Sequence, residues 1–353
     1  MKPVYLSSQE IAHHLFPFAQ TRSAADIRIG ILTIREKWER MLQQPVTLLP
    51  NDQIPNSDEA YYFAANIIPT PSFIESINKN SIDPSFQPDY TNVKVLQFPW
   101  HIFQWNEQAL HDDFTLITKG RQSAPIPGSV QAINSSNIFI EPGASLQHCI
   151  LNASTGPIYI GKNAEVMEGS CIRGPFALCE GAVVKMGARI YGATTIGPYS
   201  VAGGEIKNSV IFGYSNKAHD GYLGDSVIGE WCNLGAGTSN SNLKNTASDI
   251  RVWHQAANDY VRAGLKCGLL MGDYSRAAIN TSFNSGTLVG ICAHVFGEGL
   301  TPKYIPSFTW GQRGLSRYEF DKAIADIRNW KKFKNRELTE GEITVLKHIF
   351  EQS

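Results

Sequence analysis

Between Gly203 and Asn242 the sequence gathers side chains suited to one kind of chemistry. The stretch reads GGEIKNSVIFGYSNKAHDGYLGDSVIGEWCNLGAGTSNSN. His219 carries an imidazole that titrates near neutrality, so it can take a proton from an ammonium or from an attacking nitrogen. Asp220 follows it directly, and a neighbouring carboxylate or a backbone carbonyl can orient the ring. Lys207 within the stretch and Lys185 upstream supply charge that neutralises a phosphate. Asn233 and Asn242 can donate to sugar hydroxyls and accept from an amine. The backbone amides of Gly235-Ala236-Gly237 can hold a developing oxyanion. This set fits acyl transfer to an amine.

Such residues need a rigid wall behind them, and the sequence supplies one. Ile160, Val166, Ile172, Leu178, Val184, Ile190, Ile196 and Ala202 recur every sixth residue. That period matches neither a helix nor an alternating strand. It fits a hexapeptide solenoid, each hexad one short strand and a turn. The glycines at 161, 174, 181, 187, 192 and 197 fall where corners favour a residue tolerant of positive φ. After Ala202 the frame slips. Counting back by sixes from Leu234 gives Ile228, Tyr222, Asn216 and Val210, with Leu223 an equally good core residue, which allows one rung to be a residue short. The chemistry-bearing stretch therefore lies where the repeat fails.

Composition narrows the function classes. Net charge is −1, without a block of like charge, which argues against a nucleic-acid partner. No run of eighteen apolar residues exists, so no membrane span is expected. MKPVYLSSQE lacks the apolar core of a signal peptide. The six cysteines are scattered without a CxxC pair, so reduced thiols in a cytoplasmic protein are expected, with no disulfide frame and no metal site.

In chain order, residues 1–117 mix short strands (MKPVYL, PVTLL, NVKVLQF) with helical pieces, one of them over 104–117, as in a small α/β domain. Residues 118–137 are rich in Pro, Gly and Ser and read as a linker. The solenoid follows over 138–310, with 244–265 looping out and hexads resuming at Met271, Ala277, Phe283, Val289 and Val295. In 311–353 two helices are expected, opened by capping boxes at Ser316/Glu319 and Thr339/Glu342, and closing the end of the solenoid.

The segment from Lys217 to Asn245 resembles the acetyltransferase half of the bifunctional UDP-N-acetylglucosamine pyrophosphorylase/glucosamine-1-phosphate N-acetyltransferases. That family has a Lys-Ala-Gly-His-Leu-Thr-Tyr-Leu-Gly-Asp start and an Asn-Ile-Gly-Ala-Gly-Thr centre. The resemblance covers about 130–300 and is strongest over 203–242. It implies a mainly β fold, a left-handed parallel β-helix preceded by a small nucleotidyltransferase-like α/β domain. It implies acetyl-CoA as acyl donor and an amino sugar or its phosphate as acceptor. His219, three before Tyr222, falls on the family's general base. Lys185, Lys207, Tyr222, Asn233 and Asn242 fall on acceptor contacts, although Lys185 stands where the family has an arginine. Ala236 falls near the thioester, and Ser282 and Gly290 lie along the wall expected for CoA. Arg251 lies near a substrate-contacting lysine of the family, and Arg313 and Arg317 are within reach of a CoA phosphate. Homotrimers with sites between subunits are implied. Asp220-Gly221 replaces the family's Leu-Thr, which bears on the acceptor more than on the reaction.

Leu15, Pro17, Phe18, Thr21 and Arg22 resemble one half of the sugar-phosphate nucleotidyltransferase fingerprint. The glycine-rich half is missing, because residues 5–14 contain no glycine. Backbone amides of such a loop approach the triphosphate, and side chains there block them. Nucleotidyl transfer, with its Mg requirement, is thus the alternative activity, and a non-catalytic sugar-nucleotide-binding or assembly protein is the third. Across its length the chain is similar to a bacterial sugar nucleotidyltransferase family with a reduced N-terminal domain.

Overall fold

The computed structural model describes residues 2–8, 11–49, 60–79, 93–312 and 316–353. The six-residue period builds a left-handed parallel β-helix, as the sequence indicates. Ile160 pairs with Leu178 and Leu178 with Ile196, eighteen residues and three strands per turn. The positions of the apolar period point inward, and Ile160, Val166, Leu178, Val184, Ile196 and Ala202 are fully buried. Three parallel sheets result. The first face runs from Ile138–Ile140 up to Tyr304–Ile305, and the second from Ser145–Leu146 to Thr309–Trp310, where Ser316–Arg317 adds one antiparallel strand. The third runs from Gln131–Ile133 to Tyr222–Gly224, and the Ser239–Asn240/Ser282–Phe283 pair lies beyond it. The first solenoid strand, Gln131–Ile133, thus falls inside the stretch expected as linker, where it pairs with Ile150–Asn152.

Above Ala202 the coils shorten. Ala202 pairs with Lys217, fifteen residues on, and Ile206 with Leu223, seventeen on. The inward frame is therefore Ile211, Lys217, Leu223, Ile228 and Leu234. It lies one residue from the Val210, Asn216, Tyr222 frame obtained by counting in sixes. Leu223 is 1% exposed and takes the core position beside Tyr222, and the step from Leu223 to Ile228 is indeed one residue short.

The N-terminal residues form a parallel sheet with Val4–Ser7 between Thr47–Leu49 and Tyr61–Ala64. Helix Ile34–Leu42 begins at a capping box made by Thr33 and Glu36. This unit covers the first face, sharing a core with Val210, Phe212, Val227, Leu270 and Leu288. Asn106, on helix Asn106–Thr118, accepts from Gly30 N at 2.7 Å and donates to Ala193 O at 2.9 Å, pinning the unit to the solenoid. Residues 250–264 leave the coil as the antiparallel hairpin Ile250–His254/Asp259–Gly264, whose Ile250, Val252 and Ala263 join the same core.

The C-terminal segment departs from expectation twice. Ser316–Arg317 is a strand paired with Thr309–Trp310, so no capping box forms there, and the helix Phe320–Lys332 starts after Glu319 without a side-chain cap. The second box, Thr339/Glu342, opens helix Glu340–Gln352 as expected. Both helices lie along the solenoid's flank and do not close its end. They pack on Tyr214, Trp231, Tyr274, Ile291, Cys292 and Phe308. Several of these occupy one corner with left-handed backbone, Tyr199, Tyr214, Trp231 and Tyr274 among them. Stacking along that corner (Tyr199 on Tyr214 at 5.2 Å, Tyr214 on Trp231 at 4.4 Å) offsets the strain of positive φ. All six cysteines are free thiols. Among the described residues no helix is long and apolar enough to cross a membrane, and no group of three or more His, Cys, Asp or Glu is placed to hold a metal ion.

Candidate functional site

His219 sits on the corner that turns the second face into the third, between strands Asn216–Lys217 and Tyr222–Gly224. Its side chain is exposed, and among the described residues neither ring nitrogen has a hydrogen-bond partner. Asp220 is likewise exposed and does not touch the ring. Gly221 explains the Asp-Gly departure. Its φ is +124°, and a Cβ there would lie 2.1 Å from Thr238 O, so the turn admits only glycine.

The turn is held from inside by Lys217. This lysine takes an inward position in the column of Val184 and Ala202 and is 2% exposed. Its ammonium donates to Gly203 O at 3.1 Å and to His219 O. Burial lowers its pKa from the ordinary 10.5 to about 8, with Asp220 acting against the shift. It is therefore still mostly charged at neutral pH, and it ties the carbonyl of the candidate base to the preceding coil.

On the third face, Tyr222, Asn242 and Asp225 form a network. Asn242 donates to the Tyr222 hydroxyl at 3.0 Å and to the buried Asp225 carboxylate, which also accepts from Asn208 at 2.6 Å. Burial, then the charge of Asp225, pushes the Tyr222 phenol well above its ordinary pKa, so it remains a neutral donor. Lys207 stands one rung earlier on this face, paired in register with Gly224, its ammonium 5.7 Å from the Tyr191 ring centre. Lys185 occupies the His219 corner two coils earlier, against Gly203.

Ala236 follows His219 on the same corner, one coil on, with Gly237 N donating to Asp220 O at 3.0 Å. Gly235 N is taken by Ala277 O. Among the described residues the Ala236 amide has no acceptor, and the residue is exposed, so of the three amides at 235–237 it is the one left unbonded.

The other residues singled out in the sequence lie elsewhere. Asn233 is on the second face between Asn216 and Arg276, across the corner from Tyr222. Ser282 is exposed in the strand beside Ser239. Gly290 is buried on another corner, where a Cβ would meet Ser307 N at 2.4 Å. Arg251 is engaged within its hairpin, with Asp259 and Tyr260 O. Arg317 stacks on Phe350 and donates to its carbonyl, and Arg313 lies outside the described residues. Lys217, Asn208 and Asp225 had drawn no attention in the sequence. The signal for Lys217 was present, since it lies six before Leu223.

The fingerprint-like segment of the N-terminal unit has a different fate. Leu15 and Phe18 are fully buried, and Phe18 packs on Phe212 of the solenoid at 5.5 Å. Thr21 and Arg22 both donate to Asp273, and Arg22 also lies 3.3 Å from Glu230.

The sugar nucleotidyl transferase family model matches residues 4–87 and 63–122. The bifunctional protein GlmU of Methanocaldococcus jannaschii is 33% identical over 106 residues, 30% of this chain and 26% of that one. A bifunctional sugar-1-phosphate nucleotidylyltransferase/acetyltransferase of Sulfurisphaera tokodaii is 34% identical over 93 residues, 26% of this chain and 23% of that one. Over about a quarter to a third of its length the chain is similar to bifunctional nucleotidyltransferase/acetyltransferases. The matches span about a quarter of those relatives' length. The solved Arabidopsis UDP-N-acetylglucosamine acyltransferase is similar at 16% identity and a TM-score of 0.31, over 65% of this chain and 90% of that one. The solenoid assignment rests on the strand ladder itself.

Proposed function

We propose that the chain is an acyl-CoA-dependent acyltransferase acting on an amino sugar or amino-sugar phosphate, with His219 as general base and acetyl-CoA as donor. The observation that carries this reading is an exposed, unengaged imidazole beside an unbonded amide, on a corner fixed from within by Lys217. His219 takes the proton from the acceptor nitrogen as that nitrogen attacks the thioester carbonyl. The Ala236 amide meets the oxyanion that develops there. The carbon–sulfur bond then breaks, and the thiolate leaves with a proton as free CoA. Tyr222 and Asn242 bind the sugar hydroxyls, while Lys207 and Lys185 neutralise its phosphate. Ser282 lines the path of the CoA arm, whereas Gly290, buried against Ser307, is not open to it.

The functional unit is a homotrimer in this reading. Two features support a second copy on the His219 edge. Met186 and Ile279, on the same corner, are 67% and 68% exposed. Asn233 lies on the second face, across the corner from Tyr222, so it reaches an acyl-transfer site from a neighbouring copy.

Glucosamine-1-phosphate and other amino sugars are offered with acetyl-CoA while free thiol is followed. Thiol release that is lost in His219→Ala supports the reading, and a silent panel or full rate in the variant removes it. Nucleotidyl transfer is the second reading, favoured by the family match over residues 4–122. It is weakened by Thr21 and Arg22, whose polar groups are engaged with Asp273. Release of pyrophosphate from a nucleoside triphosphate and a sugar-1-phosphate tests it.

A further inference from the structure

Below Tyr222 the third face carries one cation on each of three consecutive rungs. Arg173 ends strand Cys171–Arg173, Arg189 starts Arg189–Tyr191, and Lys207 ends Glu205–Lys207. The strands pair in that order, and the next rung is Tyr222–Gly224. Among the described residues none of the three has an ion pair. Arg189 lies beside Glu205 in register, yet that carboxylate accepts instead from the Tyr191 hydroxyl at 2.6 Å. Arg173 and Arg189 are exposed into a cleft of 530 Å³. Its walls are mostly apolar, with Ile150, Pro175 and Ala193 among them, and its rim is completed by Glu107 from the N-terminal unit.

A cleft of this size suits a small ligand, with apolar walls for a flat or hydrophobic body and a few charged groups fixing its orientation. Paired guanidiniums bind phosphate oxygens in a fork. Rungs are about 5 Å apart, so Tyr222 lies about 10 Å above Arg189; Glu205, whose carboxylate is taken by the Tyr191 hydroxyl, stands between them in register, and Lys207 supplies the cation at the far end of that middle rung. That is the reach of a sugar ring followed by a diphosphate. Glu107 repels phosphate but accepts from hydroxyls, so it suits the ribose end. We propose that this cleft binds the nucleoside diphosphate of the acceptor, so that the amino sugar acted on at His219 is presented as a nucleoside-diphosphate sugar. The naming of the acceptor rests on the acyltransferase reading; the binding site itself does not. It also gives the N-terminal unit a part in the acyl-transfer half, through Glu107.

The test is calorimetric titration of the whole protein with ADP, GDP, CDP, UDP and dTDP, and with inorganic pyrophosphate. At least one nucleoside diphosphate is expected to bind tenfold or more tightly than pyrophosphate. The double variant Arg173→Gln/Arg189→Gln is expected to weaken it at least tenfold, with no change in His219→Ala. Both arginines are exposed, so the double variant should fold, and its thermal midpoint checks this. No binding by any of the five, equal binding of pyrophosphate, or binding that survives the double variant overturns the proposal. The last of these outcomes would move the nucleotide to the N-terminal unit. Binding is read without turnover. Arginine-dependent binding beside a silent acetyl-transfer assay therefore removes the acyltransferase reading and keeps the subsite, and the reverse pattern does the opposite.

Discussion

Arg22 and Lys207 are both cations in stretches that resemble phosphate-handling segments of one enzyme family, and the fold treats them in opposite ways. Arg22 is 11% exposed and paired with Asp273, itself 1% exposed, at the seam between the N-terminal unit and the solenoid. Lys207 stands on an open face without an ion pair among the described residues. The same contrast separates Phe18, buried on Phe212, from His219, exposed on a corner. Residue type alone therefore does not carry chemistry across an evolutionary change. In the N-terminal unit Thr21 and Arg22 are engaged with Asp273. In the solenoid His219 and Lys207 keep free hydrogen-bonding capacity, which is what a ligand needs.

The comparison can be broken at several points. The largest effect expected is in His219→Ala, which should lower acetyl transfer by about 10²–10⁴-fold while leaving the thermal midpoint near that of the parent, because the ring makes no intramolecular hydrogen bond. Arg22→Ala tests the other side. It strands the buried Asp273 charge and should cost about 3–5 kcal/mol in denaturant unfolding, with remaining activity following the folded fraction. If Arg22→Ala instead abolished activity in fully folded protein, the seam would be a site and the contrast would fall.

Asn242→Ala leaves the buried Asp225 with Asn208 alone and should cost about 1–3 kcal/mol, read by urea unfolding, together with a weaker apparent affinity for the acceptor. The smallest effect concerns Lys217. Its folded-state pKa lies below the unfolded value, so between about pH 8 and 10.5 the unfolded chain binds more protons and stability rises with pH through this group. Lys217→Met should lack that contribution. From pH 8 to pH 10 the urea midpoint of the parent should therefore rise relative to that of the variant.

The coil was legible because its inward residues obey a strict period. It became illegible where one inward residue is a lysine: Lys217 breaks the apolar rule that reveals the frame, and counting in sixes settled one residue away. The flank packing of the C-terminal helices depends on left-handed aromatic corners such as Tyr214 and Trp231, spaced by whole coils and invisible to a local pattern. Ser316 and Glu319 have the spacing of a capping box, but pairing with Thr309–Trp310 overrode it. For the candidate site, His219, Lys207, Tyr222 and Asn242 could be read from residue type and resemblance, and the structure gathers them on one corner and its adjoining face. Arg173 and Arg189 were not readable, since a single outward charge in a regular hexad looks like ordinary solvated surface. Only stacking of successive rungs brings them onto one face with Lys207.

Acyl transfer would belong to the solenoid and nucleotidyl transfer to the N-terminal unit. The most direct measurement follows free thiol and pyrophosphate in parallel, with acetyl-CoA, a nucleoside triphosphate and amino-sugar acceptors, in the parent and in His219→Ala. The expected result is thiol release in the parent, its loss in the variant, and no pyrophosphate from either. Pyrophosphate release without thiol release, unaffected by His219→Ala, would contradict the account.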